Sequence, residues 1–400
     1  MLVKSLILST LLITSIHAQN IDDLVKSTLS KNYTLKSLES SILVAKEQIA
    51  LSSKWKNPTL LFGATDIQFN DITKRDLEPM QAQFIGFSQV IPLGDKLKVE
   101  KKIATNDYII SEYEVKDKKL QFKSKIYEYI YNIKLLEERL SLFKKFKSNT
   151  KKLEDLLKEL YKYNRANQAQ ILNSQIMYQE LNLKSQKLQT MINTLNLKLE
   201  QITYSKLEDI NFDSSLKKVL LSNDIESHPK ILSLLQTSKK LNNISQLELE
   251  KKNSDIKMSL TYFQRDSKFE DYINVAFAIP LSVYGSEDLK SRKAKFKTVE
   301  LNHKIEDMKS TFKNQIKTFQ QNIDDSLITF SIIKKDILPK FNQLQKIIEN
   351  YNSFASYKNM DSKALITNLN EIIKYELKAI DEKEKYFTAL AQSIYFSKEI

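Results

Sequence analysis

Short segments of the chain alternate large apolar side chains with small or polar ones, which is the period of a β-strand. A further strand-like segment is apolar on both faces around Leu60–Phe62. The clearest example of the alternation is the segment 272–285, whose large apolar residues fall on one face: Ile273, Val275, Phe277 and Ile279. Pro280 and Gly285 end the pattern. Such a strand suits a sheet that buries its apolar face in a core. It equally suits a membrane sheet that turns this face to lipid and its small face to water.

Two β-hairpins follow from this alternation, at about residues 57–91 and 256–280. Their strands are predicted at Asn57–Phe69, Gln81–Ile91, Ile256–Asp266 and Tyr272–Ile279. In the second strand, two glutamines interrupt the apolar face, so the first hairpin alone is a weak membrane signal. The predicted lipid-facing residues are Ile85, Phe87, Met258, Leu260, Tyr262, Ile273, Val275, Phe277 and Ile279.

The rest of the chain has helical periodicity and almost no turn residues. There are four glycines and six prolines, and most lie in or beside the hairpins. Long helices are therefore expected. They are predicted at Ile21–Lys56, Asp95–Tyr163, about 166–204, Pro229–Lys252, about 286–356 with a kink at Pro339, and about 361–397. The helix at 166–204 carries leucines and isoleucines at coiled-coil spacing.

The two halves of the chain repeat one order of elements: helix, β-hairpin, long helix, turn, long helix. Ile91-Pro92-Leu93 and Ile279-Pro280-Leu281 follow the hairpins, and Tyr-Lys pairs precede the turns at 161 and 357. The repeats are predicted at 19–204 and 228–400, with a connector at 205–227. Residues 1–18 have the pattern of a secretory signal peptide.

Four strands are too few to close a barrel, since small closed barrels need about eight strands. Two copies of the chain would supply eight strands and three copies twelve. The helices are too long to cover so small a sheet and must extend away from it. The pattern therefore favours an oligomeric barrel joined to a helical tube. No later stretch has the apolar length of a spanning helix, so any membrane crossing is expected to use strands.

Composition narrows the function further. The chain has no cysteine and three scattered histidines, so thiol chemistry is excluded and a histidine metal site or catalytic dyad is not expected. No constellation typical of an enzyme stands out, and no cofactor is expected. The net charge of +13 comes from lysines spread among glutamates and asparagines, which indicates solvated helix faces rather than a nucleic-acid surface. Trp55, the only tryptophan, is interpreted either as an interfacial anchor or as a core residue.

Three motifs on this duplicated frame resemble the TolC-like outer-membrane efflux channels over almost the whole chain after residue 18. They are Phe87–Leu97 (FSQVIPLGDKL), Phe277–Gly285 (FAIPLSVYG) and Tyr161–Leu172 (YKYNRANQAQIL). The resemblance implies a homotrimer with a twelve-stranded barrel in outer-membrane lipid and an α-helical tunnel across the periplasm. It also implies a passive conduit that docks a periplasmic adaptor and an inner-membrane pump, performs no chemistry and needs no cofactor.

The resemblance also assigns roles to residues at the helical tips. The adaptor-docking residues it implies are Tyr161, Asn164, Arg165, Ala166, Tyr357 and Asn359. The lumen-constriction candidates are Gln170, Asn173, Asp361 and Asn368. Some relatives have an acidic ring just past the second tip, but Ala364–Leu369 contains no carboxylate here. Asp361 could replace that ring only if the turn shifts.

One departure affects the assignment at the first tip. Asn164 stands where the family has a tip glycine, and asparagine tolerates the left-handed backbone that such a turn needs.

The alternative to a channel is a periplasmic coiled-coil adaptor or structural protein without a membrane barrel. Adaptors usually add small β-domains rich in glycine, and four glycines in all speak against that class.

Overall fold

The computed structural model describes residues 20–205, 210–354 and 362–397, which are mainly helical with one four-stranded sheet. The helices are α1 (Ile21–Lys31), α2 (Tyr33–Leu51), α3 (Lys96–Lys162), α4 (Gln168–Thr203), α5 (Pro229–Glu250), α6 (Ser286–Ile332), α7 (Leu338–Phe354) and α8 (Ser362–Ser393). The strands are β1 (Thr59–Thr65), β2 (Ala82–Ile91), β3 (Ile256–Gln264) and β4 (Tyr272–Ala278). The prediction of a mainly helical chain with two β-hairpins is confirmed. Among the helices described, none has the length and apolarity needed to cross a membrane.

The chain forms two compact units. The helical unit comprises Met1–Tyr33, Lys119–Asn223 and Asn314–Ile400, and the sheet unit comprises Thr34–Lys118 and Asp224–Lys313. Each unit takes segments from both halves of the sequence. The compact units therefore cut across the two sequence repeats, whose boundaries stay a prediction.

In the sheet unit, all four strands are antiparallel neighbours in the order β1-β2-β3-β4. Phe87 lies between Leu60 and Leu260, and Leu260 lies opposite Val275. Within the described chain, β1 and β4 each pair with one strand only. One long edge of each outer strand therefore carries backbone groups without a ladder partner.

Polar side chains join the helices of the sheet unit. The Gln236 side-chain amide of α5 donates to the Asn106 oxygen of α3 at 2.6 Å, in a buried contact. The hydroxyls of Ser245 in α5 and Ser291 in α6 lie 2.8 Å apart. These contacts replace hydrogen bonds to water that the Gln236 amide, the Asn106 oxygen and the two serine hydroxyls lose on burial.

The helical unit has the larger apolar core. Its fully buried side chains include Ile126, Ile130 and Ile133 of α3, which recur at three- and four-residue steps. The buried residues that α4 adds are Leu181, Leu188, Ile192 and Leu199. The heptad spacing in α4 thus marks a seam that packs against other helices.

An aromatic cluster holds the connector against α8. The rings of Tyr131, Phe212 and Phe387 pack with centroids 4.9 to 5.4 Å apart. The buried Tyr386 hydroxyl donates to the Lys217 carbonyl at 2.7 Å and accepts from the Lys217 N–H at 3.2 Å. The irregular connector is thus fixed by side chains far away in sequence.

The helix predicted at Ile21–Lys56 is wrong in its continuity, because α1 ends at Lys31 and α2 begins at Tyr33. Asn32 between them has an extended backbone, with φ −64° and ψ 121°. Its side-chain amide donates to the Ile202 carbonyl of α4 at 3.0 Å, and its own N–H still bonds to Thr28. This distant partner favours the break, and no helical period reveals it.

Just before Pro339, where a kink is predicted, the structure has a π-helical turn at Ile333–Ile337, followed by α7; the bend itself stays a prediction. Proline has no N–H to donate, and its ring clashes with the carbonyl four residues earlier in an α-helix. An inserted residue in the turn relieves that clash. Ile333 is buried there, so the turn remains part of the core.

Candidate functional site

One face of the sheet carries large apolar side chains from every strand, and these side chains are exposed. The register aligns them in two cross-strand rows: Leu60, Phe87, Leu260 and Val275, then Phe62, Ile85, Tyr262 and Ile273. Phe62 is 79% exposed and Ile273 64%. A contiguous exposed apolar surface is unusual for a protein in water and indicates contact with a partner or a membrane.

The structure brings eight of the nine predicted lipid-facing residues onto this face. Met258 and Phe277 form the beginning of a third row, opposite Gln89. Ile279 lies just beyond the end of β4 and is also exposed. The alternation of the sequence thus predicted which residues share a face. Contact with lipid stays a proposal.

The opposite face is built from small, polar and aromatic residues. A Cβ added at Gly63 would lie 2.8 Å from Cζ of Phe84, and one at Gly86 would lie 2.6 Å from the Thr261 hydroxyl. Both glycines therefore make room for cross-strand neighbours. Phe263 stacks on Tyr272 with centroids 4.8 Å apart. The two faces of β3 and β4 therefore differ clearly in chemistry, whereas β1 places the apolar Leu61 on the second face as well.

At the strand ends away from the helices, Gln81 fixes the loop that connects β1 and β2. Its side-chain amide donates to the carbonyls of Asp66 and Lys74, both at 3.1 Å. Its side-chain oxygen accepts from the N–H groups of Leu77 and Glu78 at 3.0 and 3.3 Å. Gln81 is buried, and all four contacts reach the backbone of one loop. The sequence suggested nothing of this role, because each partner lies in an irregular segment.

The β3–β4 turn is bonded to that loop. Lys268 of the turn pairs with Asp76 at 2.9 Å, and the Arg265 guanidinium donates to the Pro79 carbonyl at 3.2 Å. Arg265 also packs over the rings of Phe269 and Tyr272. The two hairpins are therefore joined at their loops as well as through β2 and β3.

At the strand ends nearer the helices, Trp55 precedes β1 and is 55% exposed. A core position for this tryptophan is excluded by that exposure. The Gln89 amide donates to the Lys56 carbonyl at 2.9 Å and ties the segment to β2. Gln89 interrupts the apolar alternation because it serves this contact at the strand end.

In the helical unit, the turn between α3 and α4 is tight. Asn164 has a left-handed backbone with φ 57°, and the Arg165 N–H bonds back to the Leu160 carbonyl at 2.9 Å. Asn167 then caps α4 in a reciprocal capping box with Gln170, with contacts of 2.9 and 3.0 Å. Asparagine supplies the left-handed residue that the family glycine would supply.

The predicted docking residues at this turn differ in exposure. Tyr161 and Asn164 are exposed, whereas Arg165 and Ala166 are half-buried. Ala166 packs against the cluster of Leu153, Leu157 and Leu365. Of the constriction candidates, Asn173 is exposed on α4, and Gln170 is half-buried with its side chain in the capping box.

Glu154 forms a charged cluster below the turn that the sequence analysis did not identify. Its carboxylate lies 2.9 Å from Lys151, 2.7 Å from Lys158 and 2.9 Å from the Gln175 amide of α4. The hydrogen bond from Gln175, followed by those from the two lysines, lowers the pKa of Glu154 to about 2. The i,i+3 and i,i+4 lysines were visible in the sequence, but the partner on α4 was not.

Asn368 does not lie on an open surface. It is 4% exposed, and its side-chain amide donates to the Phe341 carbonyl at 3.2 Å and to the Gln345 side chain at 2.7 Å. Its amide joins α7 to α8 instead of facing an open surface. Tyr357, Asn359 and Asp361 lie outside the described residues. No group of three acidic or histidine side chains suited to a metal ion occurs within the described ranges.

No protein-family model and no curated protein matches this sequence. Solved structures do match. The Campylobacter jejuni CmeC outer membrane channel aligns with a TM-score of 0.75 at 13% identity, over 94% of this chain and 85% of that one. CusC, whose structures concern transmembrane channel formation, aligns with a TM-score of 0.73 at 12% identity, over 96% and 93%.

The open state of the Neisseria gonorrhoeae MtrE outer membrane channel gives a TM-score of 0.71 at 12% identity, over 94% of this chain and 88% of that one. The chain therefore has the fold of the TolC-like outer-membrane channels. The resemblance inferred from its motifs is confirmed at the level of the fold.

Proposed function

We propose that this chain is the outer-membrane channel of a tripartite efflux system and acts as a passive conduit rather than an enzyme. In this proposal, three copies form a twelve-stranded barrel in the outer membrane, and their helices continue as a tunnel in the periplasm. A periplasmic adaptor and an inner-membrane pump would deliver the substrate. The fold shared with CmeC, CusC and MtrE supports this assignment.

The observation that carries the proposal is the exposed apolar face of a sheet with two open edges. Val275 and Phe277 are 54% and 65% exposed on that face, although both side chains are apolar. In a bilayer the same side chains would meet hydrocarbon, where their exposure is favourable. The opposite face, with Asn274, Thr261 and Ser259, would then meet water.

Open edges support the oligomer. A bilayer offers no water to the unpaired N–H and C=O groups of β1 and β4, so a spanning sheet has to close on itself. Four strands are too few for closure. Pairing β4 of one copy with β1 of the next satisfies both edges with one kind of contact. Three copies rather than two follow from the family resemblance.

The helical turn supports the docking part of the proposal. Asn164 holds a tight reversal, and the exposed Tyr161 ring beside it offers an aromatic contact. Arg165 and Ala166 would order this end against an adaptor hairpin, while Gln170 and Asn173 would border the pore. The second tip would contribute Tyr357 and Asn359, and Asp361 would reach the constriction only if the turn shifts.

Native mass after detergent extraction from separated membranes tests the assembly. We expect a trimer in the outer-membrane fraction, and ion conductance when this trimer is added to a planar lipid bilayer. Deletion of the gene should then increase sensitivity to pump substrates without abolishing any enzymatic activity. A monomer found only in the soluble periplasmic fraction would contradict the channel and favour the coiled-coil adaptor.

A further inference from the structure

The sheet unit contains a cavity of about 500 Å³ at the strand ends nearer the helices. Neither the membrane sheet nor the docking turn of the proposed channel uses this cavity. The segment Lys54–Lys56 forms one wall. The other walls come from the end of β2, the start of α3, the segment between α5 and β3, the residues Pro280–Ser282 after β4, and the start of α6. This volume falls within the range of roughly 300–1,000 Å³ that is typical of small-molecule sites.

The cavity is lined by both cations and carboxylates, and several are already paired. Lys96 pairs with Asp255, and Lys251 pairs with Glu248 at 2.6 Å. Lys54 and Lys56 form no ion pair within the described part of the chain. Two cations therefore remain available in one wall of the cavity.

Two carboxylates remain available as well. Glu100 of α3 forms no ion pair with any described residue, and neither does Glu287 of α6. Glu287 accepts a hydrogen bond from the Ser286 hydroxyl at 2.8 Å. The unpaired groups thus balance at two positive and two negative charges. A purely anionic ligand would satisfy Lys54 and Lys56 but would be repelled by Glu100 and Glu287.

Exposed apolar residues also line the cavity. Trp55 and Leu281 line it and are exposed, at 55% and 76%. Val283 and Tyr284 follow Leu281 and are also exposed. Tryptophan and tyrosine favour the boundary between hydrocarbon and water in membranes. The site therefore combines an interfacial aromatic residue with balanced charges at the end of an apolar face.

We propose that this cavity binds the headgroup of an aminophospholipid, with the phosphate at Lys54 and Lys56 and the primary ammonium at Glu100 and Glu287. The acyl chains would follow the apolar face of the sheet. A primary ammonium has N–H groups to donate to carboxylates, which a choline headgroup lacks. The inference rests on the proposed function, because it requires the sheet to lie in a bilayer.

Trp55 supplies the measurement, because it is the only tryptophan in the chain and lies in the cavity wall. The purified full chain in detergent is titrated with short-chain phosphatidylethanolamine, phosphatidylcholine and phosphatidylglycerol, and Trp55 fluorescence is followed. We expect phosphatidylethanolamine to bind about tenfold more tightly than either other lipid, the effect of one charge-assisted hydrogen bond.

Variants assign the two ends of the headgroup. The double variant Lys54→Gln/Lys56→Gln should weaken phosphatidylethanolamine binding by about tenfold or more. Glu100→Gln should weaken phosphatidylethanolamine binding while leaving phosphatidylglycerol unchanged or tighter. The matched control is Lys98→Gln/Lys293→Gln, which removes two exposed lysines outside the cavity and should bind like the wild type.

Three results would overturn the proposal: equal affinity for the three lipids, wild-type binding by Lys54→Gln/Lys56→Gln, or equally tight binding of soluble glycerophosphoethanolamine. The last would assign the cavity to a free phosphate ester rather than a membrane lipid.

Conductance in planar bilayers separates the test of the headgroup site from the test of the channel. A conducting protein without lipid preference refutes the headgroup site alone, and a selective protein that never conducts refutes the channel.

Discussion

The sheet and the core of the helical unit use the same apolar residue types in opposite ways. Ile126, Ile130 and Ile133 of α3 are fully buried, whereas Ile273 and Val275 of β4 are mostly exposed. Both sets follow a strict period, of three to four residues in the helix and of two in the strand. Periodicity therefore identifies a face, and only the structure reveals whether the chain itself covers that face.

The largest effect is expected in the buried set. Ile130→Ala removes three carbons from a side chain with no exposed surface, so the free energy of unfolding should fall by about 2–5 kcal/mol. Urea unfolding followed by circular dichroism measures this change. The control Leu220→Ala truncates a side chain that is 90% exposed and should change stability by less than about 0.5 kcal/mol. Equal losses in both variants would contradict the contrast between covered and uncovered faces.

The second prediction concerns the two faces of one strand. Val275→Lys places a charge on the apolar face and should disfavour membrane insertion by about 2–4 kcal/mol if Val275 lies near the bilayer midplane. Ala276→Lys places the same charge one residue along, on the opposite face, and should insert normally. The fraction of protein recovered in the outer membrane measures both. If Val275→Lys inserts as well as Ala276→Lys, the apolar face does not meet lipid.

The turn of the helical unit gives a smaller effect. Asn164 has φ 57°, a backbone conformation that β-branched residues resist. Asn164→Val should lower the free energy of unfolding by about 1–2 kcal/mol, and Asn164→Gly should preserve or increase it. The urea midpoints of the two variants test the sign. A stable valine variant would mean that the turn rearranges.

The smallest effect is a pH dependence. Because Gln175 and two lysines lower the pKa of Glu154 from 4.5 to about 2, its carboxylate stabilises the fold above pH 4.5. That contribution is lost as the pH falls from 4.5 toward 2. Its size should be about 1 kcal/mol, since both lysines are about half-exposed.

Glu154→Gln should therefore flatten the acid limb of the stability curve between pH 4.5 and 2. The control Glu180→Gln changes an exposed glutamate that forms no ion pair among the described residues, and it should keep the wild-type limb. Unfolding midpoints at several pH values measure both variants. An unchanged limb in Glu154→Gln would assign the acid sensitivity to other groups.

Local patterns in the sequence predicted the strands, the long helices and the residues of β2, β3 and β4 that share the apolar face. Leu60 and Phe62 of β1 were not predicted, because the sequence around them is apolar on both faces of the strand. The alternation around Val275 depends only on neighbouring residues, and so does the heptad of α4. Asn164 was also predictable, because few residues tolerate a left-handed backbone.

Features that depend on distant partners were not predictable. Asn32 breaks the first helix through a bond to Ile202, and Glu154 needs Gln175 of another helix. Gln81 is buried because four backbone groups of an irregular loop surround its amide. That Lys54 and Lys56 form no ion pair among the described residues, whereas Lys96 and Lys251 do, is also known only from the structure. In each case the deciding contact joins segments whose spacing carries no period.

The contacts between the β1–β2 loop and the β3–β4 loop have a mechanical consequence. Lys268 holds Asp76, and Arg265 holds the Pro79 carbonyl, so a force on one hairpin tip passes directly to the other. Gln81 braces the longer loop from inside, which limits how far it can bend on its own. We therefore expect the two loops to move together rather than independently.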